Sequence, residues 1–113
     1  MIRRTKFAAS IIISSALLTA HPVLAETAVG QGVFKCKDGK SIEATFYASS
    51  VDLKLSDGRS MTVPQAMSAS GARYANADES FVFWNKGDTA FVTEGAAEGA
   101  GGKETYSGCV DGK

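Results

Sequence analysis

The chain has 113 residues, 44% of them hydrophobic and 21% charged, with twelve basic residues balanced by twelve acidic ones. A chain of this length holds one small domain. It has no basic excess to lay along a phosphate backbone, which argues against nucleic acid as a partner.

The first segment reads as a targeting signal. Arg3, Arg4 and Lys6 open the chain, and an apolar, small-residue run follows from Phe7 to Ala20. That run is too short to span a bilayer stably. Val23-Leu24-Ala25 presents the residues a signal peptidase reads, so cleavage is expected after Ala25. The expected organisation is a signal peptide over 1–25 and one domain over 26–113. Processing takes the basic count from twelve to nine against twelve acids, a net charge of −3. It also removes His21, the one histidine of the chain.

From there the sequence alternates with period two, the pattern of half-buried antiparallel strands. Eight strands are predicted, near 31–37, 41–48, 51–56, 59–63, 72–77, 80–85, 88–93 and 104–110. Ile42, Ala44, Phe46 and Ala48 share one face, and Val51, Leu53 and Leu55 share another. "FVFW" (Phe81–Trp84) and "TAFV" (Thr89–Val92) are apolar on both faces and predict more deeply buried strands. Turns separate them: Asp38-Gly39, Asp57-Gly58, Asn76 to Glu79, and Asn85-Lys86-Gly87-Asp88. Pro64 to Ala72 is expected to be the one long segment outside the strands. "EGAAEGAGGK", Glu94 to Lys103, is Gly/Ala-rich and is expected to be a mobile loop. Short strands joined by Gly turns suggest a small barrel or sandwich. A barrel this small is filled by its own side chains, which argues against a carrier of lipid or small ligands.

Export favours a disulfide between Cys36 and Cys109, the two cysteines of the chain. Closing so long a loop would contribute roughly 4 kcal/mol in the chain-entropy model. Two cysteines without a histidine make a poor zinc site, and no cofactor or metal is expected. Without histidine, Ser-His-Asp and Cys-His catalysis are absent from the processed chain. Asp38, Asp57 and Asp88 each neighbour a turn glycine and read as turn residues. A Ser70–Lys86 dyad is chemically conceivable, but a hairpin-tip lysine is solvated and charged. The chain therefore reads as a binding protein, not an enzyme, and these features alone leave its partner open.

Five motifs in order narrow that choice: "CKDG" (Cys36–Gly39), "LKLSDGR" (Leu53–Arg59), "SASGARY" (Ser68–Tyr74), "FWNKGDTA" (Phe83–Ala90) and "YSGC" (Tyr106–Cys109). With them the chain resembles the MliC/PliC family of c-type lysozyme inhibitors over about residues 33–110. The resemblance implies an all-β fold, an eight-stranded antiparallel barrel with one disulfide. It implies that the Ser68–Tyr74 loop enters the lysozyme cleft, with Ser70 and Lys86 approaching the catalytic carboxylates. Ala69 and Gly71 keep that loop narrow, Tyr74 shapes it, and Arg73 is either a surface ion pair or a further contact. Trp84 reads as core or loop support. Membrane-bound members carry a lipidated cysteine after the signal. Here Glu26 follows Ala25, so the soluble periplasmic branch is the better match. The competing reading is a non-catalytic envelope barrel, binding or structural, with another partner.

Overall fold

The computed structural model describes residues 26–95 and 102–112. Eight strands form: β1 (Gly30–Lys35), β2 (Ser41–Phe46), β3 (Ser50–Leu55), β4 (Ser60–Ala66), β5 (Ala72–Ala75), β6 (Phe81–Lys86), β7 (Thr89–Glu94) and β8 (Lys103–Asp111). Each pairs antiparallel with the next, and β8 returns to β1, closing the barrel. All eight expected strands are present, with ends displaced by up to three residues. Among the described residues the one helical element is a three-residue 3-10 turn, Lys37–Gly39, between β1 and β2. None of the described helices is long and apolar enough to cross a membrane.

The alternation read from the sequence becomes the barrel's inside and outside. Phe34, Ile42, Ala44, Val51, Leu53, Leu55, Val63, Tyr74, Phe83, Val92 and Tyr106 fill the interior. Phe83 is the hub: its ring lies 6.1 Å from Phe34, 6.1 Å from Tyr74 and 6.3 Å from Phe46. Closure joins two strands far apart in sequence through only two registered pairs, Phe34↔Asp111 and Lys35↔Val110. The Cys36–Cys109 disulfide reinforces that seam, as expected from export.

Three expectations need correction. β4 runs past Pro64 to Ala66, so the segment outside the strands is Met67–Gly71, shorter than the expected Pro64–Ala72. Pro64 forms the last registered pair with β3, opposite Ser50, where a missing N–H costs the ladder least. Beyond it, the Gln65 N–H donates to the Ser49 carbonyl at 2.9 Å, and Gln65 and Ala66 pair with β5 on the other side. Asn85 and Lys86 close β6 instead of forming its turn, which is reduced to Gly87-Asp88 between the Lys86↔Thr89 pair. Glu94 and Lys103 are paired strand ends. Residues 96–101 of the expected mobile loop and the expected signal peptide, 1–25, lie outside the described residues.

The strand directions sort the turns onto two ends. One end carries 47–49, 67–71 and 87–88; the other carries 37–40, 56–59 and 76–80.

Candidate functional site

The first end carries the small-residue loop. Ala66↔Arg73 is the last pair of β4 with β5, so Met67 to Gly71 leave the sheet. Three hydrogen bonds fix the loop. Ser68 Oγ donates to the Ser70 carbonyl at 2.6 Å and accepts from Ser70 N–H at 3.3 Å. Trp84 Nε1 donates to the same carbonyl at 3.1 Å. Ser70 is thus held by its backbone, while its exposed hydroxyl makes no hydrogen bond among the described residues. Ala69 and Gly71 are exposed beside it.

Gly71 links this loop to the next hairpin. Its φ is +73°, a left-handed conformation that side chains rarely adopt. A Cβ there would run into Lys86 Cγ and lie 2.8 Å from the Asn85 carbonyl oxygen. Only glycine lets the loop lie against the Lys86 stem. Lys86 is exposed, and among the described residues its ammonium forms no ion pair. The hairpin beneath it is fixed: Asn85 Nδ2 donates to the Gly87 and Thr89 carbonyls at 3.1 and 3.0 Å, and Thr89 Oγ1 donates to the Lys86 carbonyl at 2.9 Å.

Arg73 and Tyr74 stand apart from the tip. Arg73 Nη2 pairs with Glu79 at 2.7 Å, and its guanidinium lies 5.6 Å from the centre of the Trp84 ring. This is the surface-pair arrangement. Tyr74 is 5% exposed and its ring packs on Phe46 and Phe83, so it anchors the loop from inside the barrel. Burial pushes its phenol pKa above the ordinary value of 10.0.

Sequence reasoning missed two features. Met67, at the root of the loop, is 90% exposed; a lone methionine after a strand gives no signal of that. The Asn85 clamp was hidden at a residue read as the junction of a strand and its turn. The candidate site is a pair of exposed turns, one carrying the Ser70 hydroxyl and the other the Lys86 ammonium, brought together where Gly71 meets the Lys86 stem.

Comparison with known proteins gives a consistent result. A family model described as "Membrane-bound lysozyme-inhibitor of c-type lysozyme" matches residues 34–100. A curated protein of Yersinia enterocolitica, named "Membrane-bound lysozyme inhibitor of C-type lysozyme", is 53% identical over 36 residues. That stretch covers 32% of this chain and 29% of the relative's own length. No solved structure matches the chain.

Proposed function

The chain belongs to the family of membrane-bound lysozyme inhibitors of c-type lysozyme, and from that premise we propose that it inhibits c-type lysozyme by placing its Ser68–Tyr74 loop in the enzyme's cleft. The observation that carries the reading is the pairing of two unsatisfied groups, the Ser70 hydroxyl and the Lys86 ammonium, on neighbouring turns held together through Gly71.

The chemistry is complementary. A lysozyme cleft holds one ionised carboxylate and one carboxyl of raised pKa. Lys86 supplies a charge-assisted hydrogen bond to such a pair, and the Ser70 hydroxyl can donate to either member or accept from the protonated one. Ala69 and Gly71 keep the entering loop slim. Tyr74 and Arg73 hold its base. The protein acts as a plug and not as an enzyme. In the processed form, at net charge −3, it is steered toward basic lysozymes. It works in the periplasm as a soluble chain starting at Glu26, without a lipid anchor. The intact mass of the exported protein tests this last point, since a lipid-sized increment contradicts it.

The decisive experiment is lysis of cell wall by a c-type lysozyme with and without the processed chain. Removing one partner of a buried charge pair costs about 2–5 kcal/mol. Lys86→Ala is therefore expected to weaken inhibition roughly 30-fold or more, mainly through faster dissociation. Lys86→Glu is expected to be worse. Ser70→Ala is expected to cost less, about 1–3 kcal/mol. A folded Lys86→Glu protein that inhibits like the parent removes the lysine from the mechanism. A parent chain that leaves lysozyme untouched favours the other envelope-barrel reading.

A further inference from the structure

The indole of Trp84 is held on both faces and points its one polar atom at the loop. Phe91 stacks on it with ring centres 5.8 Å apart and planes 18° from parallel. Arg73 lies over it at 5.6 Å and is itself tied to Glu79 at 2.7 Å. Arg73, Trp84 and Phe91 are registered neighbours on β5, β6 and β7, so sheet geometry alone brings them together. The Nε1–H bond to the Ser70 carbonyl is different. It reaches fourteen residues away in sequence, to a segment that belongs to no ladder. Among the described residues it is also the one hydrogen bond between this loop and the sheet beneath it, the others being internal to Ser68 and Ser70.

We propose that the Arg73–Trp84–Phe91 stack is a strut that pre-organises the loop, with Trp84 as the positioning residue that turns the Ser70 carbonyl inward and so leaves the Ser70 hydroxyl outward. This rests on the inhibitory reading of the site. With its carbonyl held by an indole flanked by Phe91 and Arg73, the Ser70 backbone, from which the hydroxyl projects, is in place before any partner arrives. A binding-competent conformation that is already populated carries no conformational penalty on association. Trp84 acts through Ser70, without itself entering the cleft. Arg73 shares in this by fixing the indole's exposed face, which gives its guanidinium a task other than contact with lysozyme.

Trp84→Phe tests the strut, because it keeps a ring in the stack and removes only the N–H. Two measurements are made on it. The first is exchange of the Ser70 and Gly71 amides in the free protein, expected to be several-fold faster than in the parent while amides of β6 and β7 are unchanged. The second is lysozyme inhibition, expected to weaken about fivefold, the equivalent of one lost hydrogen bond. In a Ser70→Ala background the same substitution is expected to cost less than about twofold, because the group being positioned has gone. Equal exchange of the loop amides in Trp84→Phe and the parent overturns the proposal. So does an equal loss of inhibition in both backgrounds, which would make Trp84 a direct contact. If the parent does not inhibit lysozyme, the functional reading falls, while the amide exchange still decides whether Trp84 orders the loop.

Discussion

Lys40 and Arg59 at one end of the barrel and Lys86 at the other are held in opposite ways. At the end away from the loop, Lys40 donates to the Thr105 carbonyl at 2.7 Å and lies 4.9 Å from the centre of the Tyr106 ring. Arg59 bonds Asp57 and makes two parallel hydrogen bonds to Glu94, both at 2.9 Å, and Thr105 Oγ1 donates to the same Glu94 at 2.6 Å. At the loop end, Lys86 is exposed with no ion pair among the described residues, and Ser70 keeps its hydroxyl free. Lys40 and Arg59 are satisfied from within, while Lys86 is not, although Lys37 and Lys103 at the far end are likewise exposed and form no ion pair among the described residues. On the proposed function, stability and recognition are separated along the barrel axis, and substitutions can pull them apart.

The largest expected effect lies on the stability side. Cys36 leads from β1 into the turn at the far end, and its bridge to Cys109 spans 73 residues of sequence. Replacing both cysteines by alanine is expected to lower unfolding free energy by roughly 2–5 kcal/mol in denaturant titrations. Inhibition measured well below the melting temperature should stay within about twofold of the parent. A variant that is folded by circular dichroism yet no longer inhibits would break the separation.

Gly71→Ala probes the opposite side. Its left-handed φ and its contact with the Lys86 stem leave no room for a Cβ. Backbone strain of this kind costs about 1–3 kcal/mol, and an open loop relieves it by moving. Inhibition is expected to weaken about tenfold. The melting temperature should fall by only a few degrees, since the loop contributes nothing to the core. A large loss of melting temperature with inhibition intact would make Gly71 a structural residue of the barrel.

Arg59→Ala is expected to do less. The Arg59 and Glu94 side chains are 42% and 22% exposed, so solvent screens the pair and about 1 kcal/mol is a fair figure for it. Its signature is in the pH dependence. The side-chain hydrogen bond from Arg59 holds the Asp57 carboxyl down at about 2, from 3.8, and holds Glu94 below its ordinary 4.5. A carboxyl whose pKa is depressed in the folded state stays charged where the unfolded chain takes up a proton. Its stabilisation is complete above pH 4.5 and drains away as pH falls toward 2. In the parent, stability is expected to drop through that window. In Arg59→Ala the drop should be shallower, while inhibition near neutral pH is unchanged. Identical acid limbs for the two proteins would mean that the bridge adds nothing to stability.

The strands were legible in the sequence because burial on one face of a sheet writes itself as alternation, as in Val51, Leu53 and Leu55. The extension of β4 past Pro64 was not. Proline ordinarily ends a ladder, and only the pairing of Gln65 and Ala66 with β5 shows why the strand continues here. Ser70 and Lys86 were reachable through the resemblance carried by their motifs. Trp84 could be read as support for the loop, but its bond to Ser70 could not, because nothing local encodes a contact across fourteen residues. The Arg59–Glu94 bridge spans thirty-five residues and was invisible for the same reason.

The smallest effect is expected at Met67. Its side chain is 90% exposed at the root of the loop, on the same end as Ser70 and Lys86. In the free protein that apolar surface already meets water, so Met67→Ser should leave the melting temperature unchanged. If the loop enters a cleft, the root approaches its rim and part of the thioether chain leaves water. Burying about 40 Å² of apolar surface is worth roughly 1 kcal/mol, or about fivefold in affinity. Weaker inhibition at unchanged stability would extend the recognition end beyond its two polar groups to an apolar edge. Inhibition equal to the parent's would confine the contact to the tip formed by Ser70, Gly71 and Lys86.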